Sequence, residues 1–147
     1  MKKLLNFTMN EDLAKEELSF HSGRNSDTDD LRWEKGFLGS LRPYRNIELV
    51  ESNFHAVMHC IKILAPYLSR NDAIDKGLIS DISGILCFGK AWAVHEDGLL
   101  LSNQIITPDQ AKTIDSWLDC IFYAWTMLLD SQDENVAFEP YNQQYKI

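Results

Sequence analysis

The sequence predicts an all-α fold: a compact, single-domain bundle of about five helices. Three observations lead there. Apolar residues recur at three- and four-residue steps over long windows, most clearly through residues 50–68 and 111–129. Glycine and proline are scarce, 7 and 4 in 147 residues, which leaves too few tight turns for a many-stranded sandwich or barrel. Hydrophobic residues make up 45% and charged residues 24%, so the chain has the composition to bury a core.

A first helix is expected from about Met9. Thr8 and Glu11 have capping-box spacing, Leu13, Glu16 and Glu17 follow, and the polar run His21, Ser22, Gly23, Arg24, Asn25, Ser26 reads as a loop. Residues 1–26 are thus an N-terminal helix and loop. Asp27, Asp29 and Asp30 then put negative charge at a helix start, where it complements the dipole. This second helix carries Leu31, Trp33, Phe37 and Leu38 and should stop by Arg42, because the residue before Pro43 disfavours the α conformation.

The third helix has the cleanest stripe: Val50, Phe54, Val57, Met58, Ile61, Leu64, Ala65 and Leu68, with Pro66 expected to kink it or end it near Ala65. A fourth should begin around Asp72 to Asp75, carry Leu78, Ile82, Ile85, Leu86, Gly89, Trp92 and Ala93, and stop before Gly98 as a left-handed cap. Gly84 and Gly89 inside it cost about 1 kcal/mol each relative to Ala, which close approach of a neighbouring helix would explain. The fifth has the best start signal, with Thr107 as cap, Pro108 at the first helical position and Gln110 at the capping-box position. Its stripe is Ala111, Ile114, Leu118, Ile121, Phe122, Trp125, Leu128 and Leu129. Residues 131–147 are expected to be an irregular tail whose aromatic residues pack on the bundle. No internal repeat or linker divides residues 1–147.

Met1, Lys2, Lys3, Leu4 and Leu5 look like the charged start of a signal peptide, but Asn6, Thr8 and Asn10 break the apolar run before an h-region can form. No stretch approaches the roughly 18 to 20 apolar residues that span a bilayer. A cytoplasmic location is expected, and three scattered cysteines, Cys60, Cys87 and Cys120, agree with it. All three lie in apolar helical segments and read as buried structural thiols.

The net charge of −8 is uneven: residues 1–95 carry −1 and residues 96–147 carry −7. Nucleic acid and anionic membrane are therefore improbable partners, since phosphate contacts need clustered Lys and Arg. A basic protein partner, steered by the acidic third, fits better. On charge placement the partner-binding candidates are Asp115 and Asp119, one turn apart on the outer face of the fifth helix, with Asp130, Asp133 and Glu134 just beyond it.

No enzyme site is evident. His55 and His59 stand at i, i+4, but Ala56 occupies the position where a zincin helix needs glutamate, and no third ligand has suitable spacing. Neither metal nor cofactor is expected. There is no Gly-x-Ser-x-Gly and no glycine-rich phosphate loop. Trp33, Trp92, Trp117 and Trp125 all fall on predicted helices and read mainly as core.

Local strings carry a resemblance. Arg32-Trp33-Glu34-Lys35-Gly36-Phe37-Leu38-Gly39-Ser40-Leu41-Arg42-Pro43-Tyr44 is followed by Asn53-Phe54-His55, Leu64-Ala65-Pro66 and Ala91-Trp92-Ala93, then Gly98, Asn103, Ile106, Trp117 and Leu128-Leu129-Asp130. Over roughly residues 30–130 the chain resembles small helical immunity proteins of bacterial contact-dependent growth inhibition and related polymorphic toxin systems. The resemblance implies a cytoplasmic inhibitor that binds one cognate toxin domain, often a basic nuclease, and covers its active site. It brings no motif that marks toxin-binding residues. The alternative is a small-molecule-binding or regulatory module with a pocket lined by Trp92, Phe122 and Trp125.

Overall fold

The computed structural model describes residues 9–145, and among these the chain is built from helices without a β-strand. In chain order they are α1 (Glu11–His21), α2 (Leu31–Lys35), α3 (Phe37–Leu41), α4 (Ile47–Arg70), α5 (Lys76–Ala93), α6 (Leu99–Ser102), α7 (Pro108–Leu129), α8 (Glu134–Ala137) and α9 (Glu139–Tyr145). The expected first, third, fourth and fifth helices are α1, α4, α5 and α7.

Local chemistry accounts for most boundaries. Thr107 and Gln110 form the full capping box of α7, with Pro108 at its first position. Asn46 caps α4 by accepting the Leu49 N–H at 2.8 Å, and Asp75 caps α5 by accepting that of Gly77. The expected start of α1 is corrected: Asn10 is its cap, accepting the Leu13 N–H at 2.9 Å. Thr8 lies outside the described residues.

Four further expectations give way. The second helix is two, because Gly36 is extended between α2 and α3. A Cβ there would stand 2.8 Å from the Phe20 carbonyl oxygen, so the backbone of α1 comes too close for a side chain. Pro66 does not end α4, whose buried stripe continues to Leu68 and whose last turn reaches Arg70. Packing holds this turn although proline donates no hydrogen bond. Gly98 is no left-handed cap; it is extended and precedes α6, with a Cβ position 2.3 Å from the Ala91 carbonyl oxygen. Gly89 does meet a neighbouring helix, its Cβ position lying 2.9 Å from a Leu118 methyl, whereas Gly84 faces open space.

The tail is the last correction. Residues 131–147 were expected to be irregular, yet they carry α8, capped by Asp133, and α9. Phe138, Tyr141 and Tyr145 are spaced i, i+3, i+7 and turn one face onto the bundle. Their docking, as distinct from their irregularity, follows the expectation.

The long helix α4 is the centre of the core, packed between α1 and α7. Phe54, fully buried, stacks on Trp117 with centroids 5.6 Å apart, and Ala65 and Leu128 border one recess eleven residues further along both helices. Hence α4 and α7 run parallel. The start of α4 and the end of α5 both lie beside α3, so α5 runs antiparallel to α4 and α7.

Candidate functional site

The acidic candidates fall into two groups. Lys90 on α5 donates to both Asp115 and Asp119 of α7, the latter at 2.9 Å. Partial burial opposes the charge on Lys90, but the two carboxylates outweigh it and hold its pKa above the ordinary lysine value. These aspartates therefore tie α5 to α7 as well as facing solvent. Asp130 sits fifteen residues beyond Asp115, about 22 Å at 1.5 Å per residue. Asp130 follows the last turn of α7, Asp133 accepts the Val136 N–H at 3.0 Å, and Glu134 lies 3.9 Å from Lys62. The five carboxylates do not converge on one point.

Along α7, between Asp119 and Asp130, runs an apolar strip whose residues Phe122 and Leu129 are expected in the core. Phe122 is 57% exposed and Leu129 45% exposed, so both are corrected from stripe to surface. With Asp115, Asp119 and Thr126 they share one face of α7, by the 100° step of the helix. On α5 the same step puts Ile79, Ser83 and Leu86 on the face of Lys90. The Lys90 bridge and the Gly89–Leu118 contact bring these two faces edge to edge. Counted from the Lys90–Asp119 bridge along antiparallel helices, Leu86 comes level with Phe122 and Ile79 with Leu129. Of the seven large exposed hydrophobic residues among the described residues, Ile79, Phe122, Tyr123 and Leu129 lie along this seam of α5 and α7. A concentration of this kind on two adjacent helices marks an interaction surface more than scattered exposure would.

The expected pocket of Trp92, Phe122 and Trp125 does not form. Trp125 is buried in the core, Phe122 faces solvent, and Trp92 belongs to a different recess with Trp33, Leu38, Arg42 and Phe88. Trp33 is only partly buried, and its indole N–H is covered without an acceptor.

The two remaining histidine expectations resolve structurally. His55 Nδ1 lies 2.6 Å from the Tyr141 hydroxyl, with Glu51 3.8 Å from Nε2, and with Phe54 and Tyr145 this holds α9 on α4. His59 is exposed, and among the described residues no three His, Cys, Asp or Glu side chains gather as a metal site.

Comparison of the chain with known protein families, with curated proteins and with solved structures finds no match.

Two buried polar groups carry no expectation from the sequence, and the expectation for Cys87 is corrected. His21 is buried at the end of α1 and its Nδ1 accepts the Phe37 N–H at 3.0 Å, satisfying the first donor of α3. Asp81 is 1% exposed and receives Arg24 through two nitrogens, at 2.6 and 3.1 Å, and the Ser22 hydroxyl at 2.8 Å. It anchors the loop after α1 to α5. Cys87, read as buried, is exposed on α5, whereas burial pushes the Cys60 thiol up to about 12 and that of Cys120 up to about 11. None of the three carries a local sequence signal; each position follows from how distant segments pack. No helix of the described residues is long and apolar enough to cross a membrane.

Proposed function

We propose that the chain is a protein-binding module whose α5–α7 face captures a basic protein domain. In this reading it acts as an immunity protein, a cytoplasmic inhibitor that neutralises a toxin domain, of nuclease type, by covering its active site. The observation that carries the proposal is the apolar strip Ile79, Leu86, Phe122 and Leu129 between carboxylates. Stable interfaces have a desolvated apolar centre, with large side chains anchoring it, inside a polar rim. Here the rim is acidic: Asp119 stands at one end and Asp130 at the other, within a segment of net charge −7. Two lysines of α5 lie on this face: Lys90 is already engaged by Asp115 and Asp119, and Lys76 stands exposed at the start of the helix, beyond Ile79. A cationic partner is therefore favoured in approach and in register.

The experiment is co-expression with the protein encoded immediately upstream of this chain's gene. The proposal expects the two to co-purify and the chain to rescue bacterial growth from that protein's C-terminal domain. Growth arrest that the chain does not relieve, with no complex recovered, counts against it.

A further inference from the structure

We propose that the recess between α2, α3 and the second half of α5 binds a small planar organic anion, such as an aromatic carboxylate. This goes beyond the interface reading and does not rest on it, since the recess opens on a different side of α5 and has the opposite charge preference.

The recess holds about 390 Å³, which falls in the range of small-molecule sites. Trp33, Leu38, Phe88 and Trp92 make its walls mainly apolar and aromatic. Phe88 and Trp92 lie one turn apart on α5 with ring centroids 5.4 Å apart, and Phe88 is 47% exposed. Such a wall offers π faces to a flat ligand. Ser22 and Gly23 close the side formed by the loop that Asp81 anchors.

Arg42 supplies the charge. Its guanidinium sits over the Trp92 ring, the central carbon 5.4 Å from the centroid, so one face of Trp92 already meets the cation and Phe88 presents the free aromatic surface. Every other arginine of the described residues is engaged: Arg24 by Asp81, Arg32 by Glu16, Glu17 and Asp30, Arg45 by Glu34, and Arg70 by Glu11. In a chain with eight excess negative charges, Arg42 alone among them has no carboxylate partner within ion-pair distance. An unpaired guanidinium beside an aromatic wall matches a ligand with a carboxylate at one end and a flat apolar body at the other. The fork of the guanidinium pairs with the carboxylate in two parallel hydrogen bonds, and the body stacks on Phe88 beside Trp92. A nucleotide or other polyanion would need more cations than the single one the recess provides. Trp33 adds a second polar element, because its covered N–H gains an acceptor if the ring turns toward the ligand.

The test is titration of the ¹⁵N-labelled chain with 2-naphthoate, and separately with the uncharged 2-naphthamide, following the four tryptophan indole N–H signals by NMR. The proposal expects 2-naphthoate to shift the Trp33 and Trp92 signals saturably, with a Kd below about 1 mM. Trp117, whose N–H is held by the Tyr145 hydroxyl at 2.9 Å, and the buried Trp125 serve as references that stay still. Arg42→Gln should weaken 2-naphthoate about tenfold and leave 2-naphthamide little changed. Phe88→Ala should weaken both. Arg42 and Phe88 are exposed, so unchanged circular dichroism is expected of both variants. The proposal is overturned if Trp33 and Trp92 show no saturable shift, if 2-naphthamide binds as well as 2-naphthoate, or if Arg42→Gln binds 2-naphthoate as the parent does.

Discussion

Acid should destabilise this protein from about pH 6.5 downward, and His21 is the reason. Burial pushes His21 down to about 4 from the ordinary 6.5, and its Nδ1 must stay unprotonated to accept the Phe37 N–H. A histidine whose folded pKa is depressed contributes its full stability above the unfolded pKa. That contribution is lost as pH falls from 6.5 toward 4, because only the unfolded state takes up the proton. Each pH unit inside this window costs about 1.4 kcal/mol, so the fall from about pH 6.5 to 4.5 should cost roughly 2–3 kcal/mol. Asp30 and Glu11 act lower. Arg32 holds Asp30 at about 2, and Arg70 holds Glu11 below its ordinary value, so their contributions are lost only as pH drops through the acid range beneath this window. Urea unfolding followed by circular dichroism at several pH values measures the slope. His21→Asn keeps an acceptor near the position of Nδ1 and removes the titration. It should cost stability at pH 7 through the smaller side chain but flatten the pH dependence between 6.5 and 4.5. A parent protein equally stable at both pH values, or a variant with the parent's slope, would refute the reasoning.

Two further outcomes follow from burial. Phe54→Ala, which removes the ring stacked on Trp117, and Ile121→Ala in the middle of α7 should each cost about 2–5 kcal/mol in urea unfolding through the cavities they leave; losses below about 1 kcal/mol at both would place the core elsewhere. In the native protein a thiol reagent at neutral pH should label Cys87 quickly and Cys60 and Cys120 only on unfolding, as mass spectrometry of the digested protein can read.

The helices that could be read from sequence are those whose local signals agree with their packing. In α7 the cap, the first-position proline and the apolar stripe all point one way, and α4 has a stripe long enough to override Pro66. Gly36 shows the opposite case. Only the glycine itself marks a break in the sequence, and the reason a side chain is excluded there is the Phe20 carbonyl, sixteen residues earlier. The tail had a readable signal in Phe138, Tyr141 and Tyr145, but the helix they define is only seven residues long. For the candidate site the sequence supplied the acidic third but misjudged the apolar part. Phe122 and Leu129 adjoin the buried Ile121 and Leu128 in sequence, and a stripe drawn wide includes them. Only the position of α5, fixed by Lys90 and Gly89, shows that they border a seam open to solvent. The pairing of Lys90 with Asp115 and Asp119 likewise joins residues 25 and 29 positions apart, which no local pattern reveals.

The central claim is that the α5–α7 face, with its apolar strip and acidic rim, is where a basic partner binds. The direct measurement is the affinity of the chain for the C-terminal domain of the protein encoded immediately upstream, for the parent and for Phe122→Ser with Leu129→Ser, at two salt concentrations. Both side chains are exposed, so the double variant should keep its fold and its urea midpoint. Charge reversal is best confined to Asp130, because reversing Asp115 or Asp119 would also release Lys90 and reversing Glu134 would release Lys62. The account predicts that the double serine variant loses about 100-fold or more in affinity, mainly through faster dissociation. It also predicts that the parent binds more weakly as salt rises, and that reversing Asp130 reduces this salt dependence. A folded double variant that binds as tightly as the parent would contradict the account and move the interface off α5 and α7.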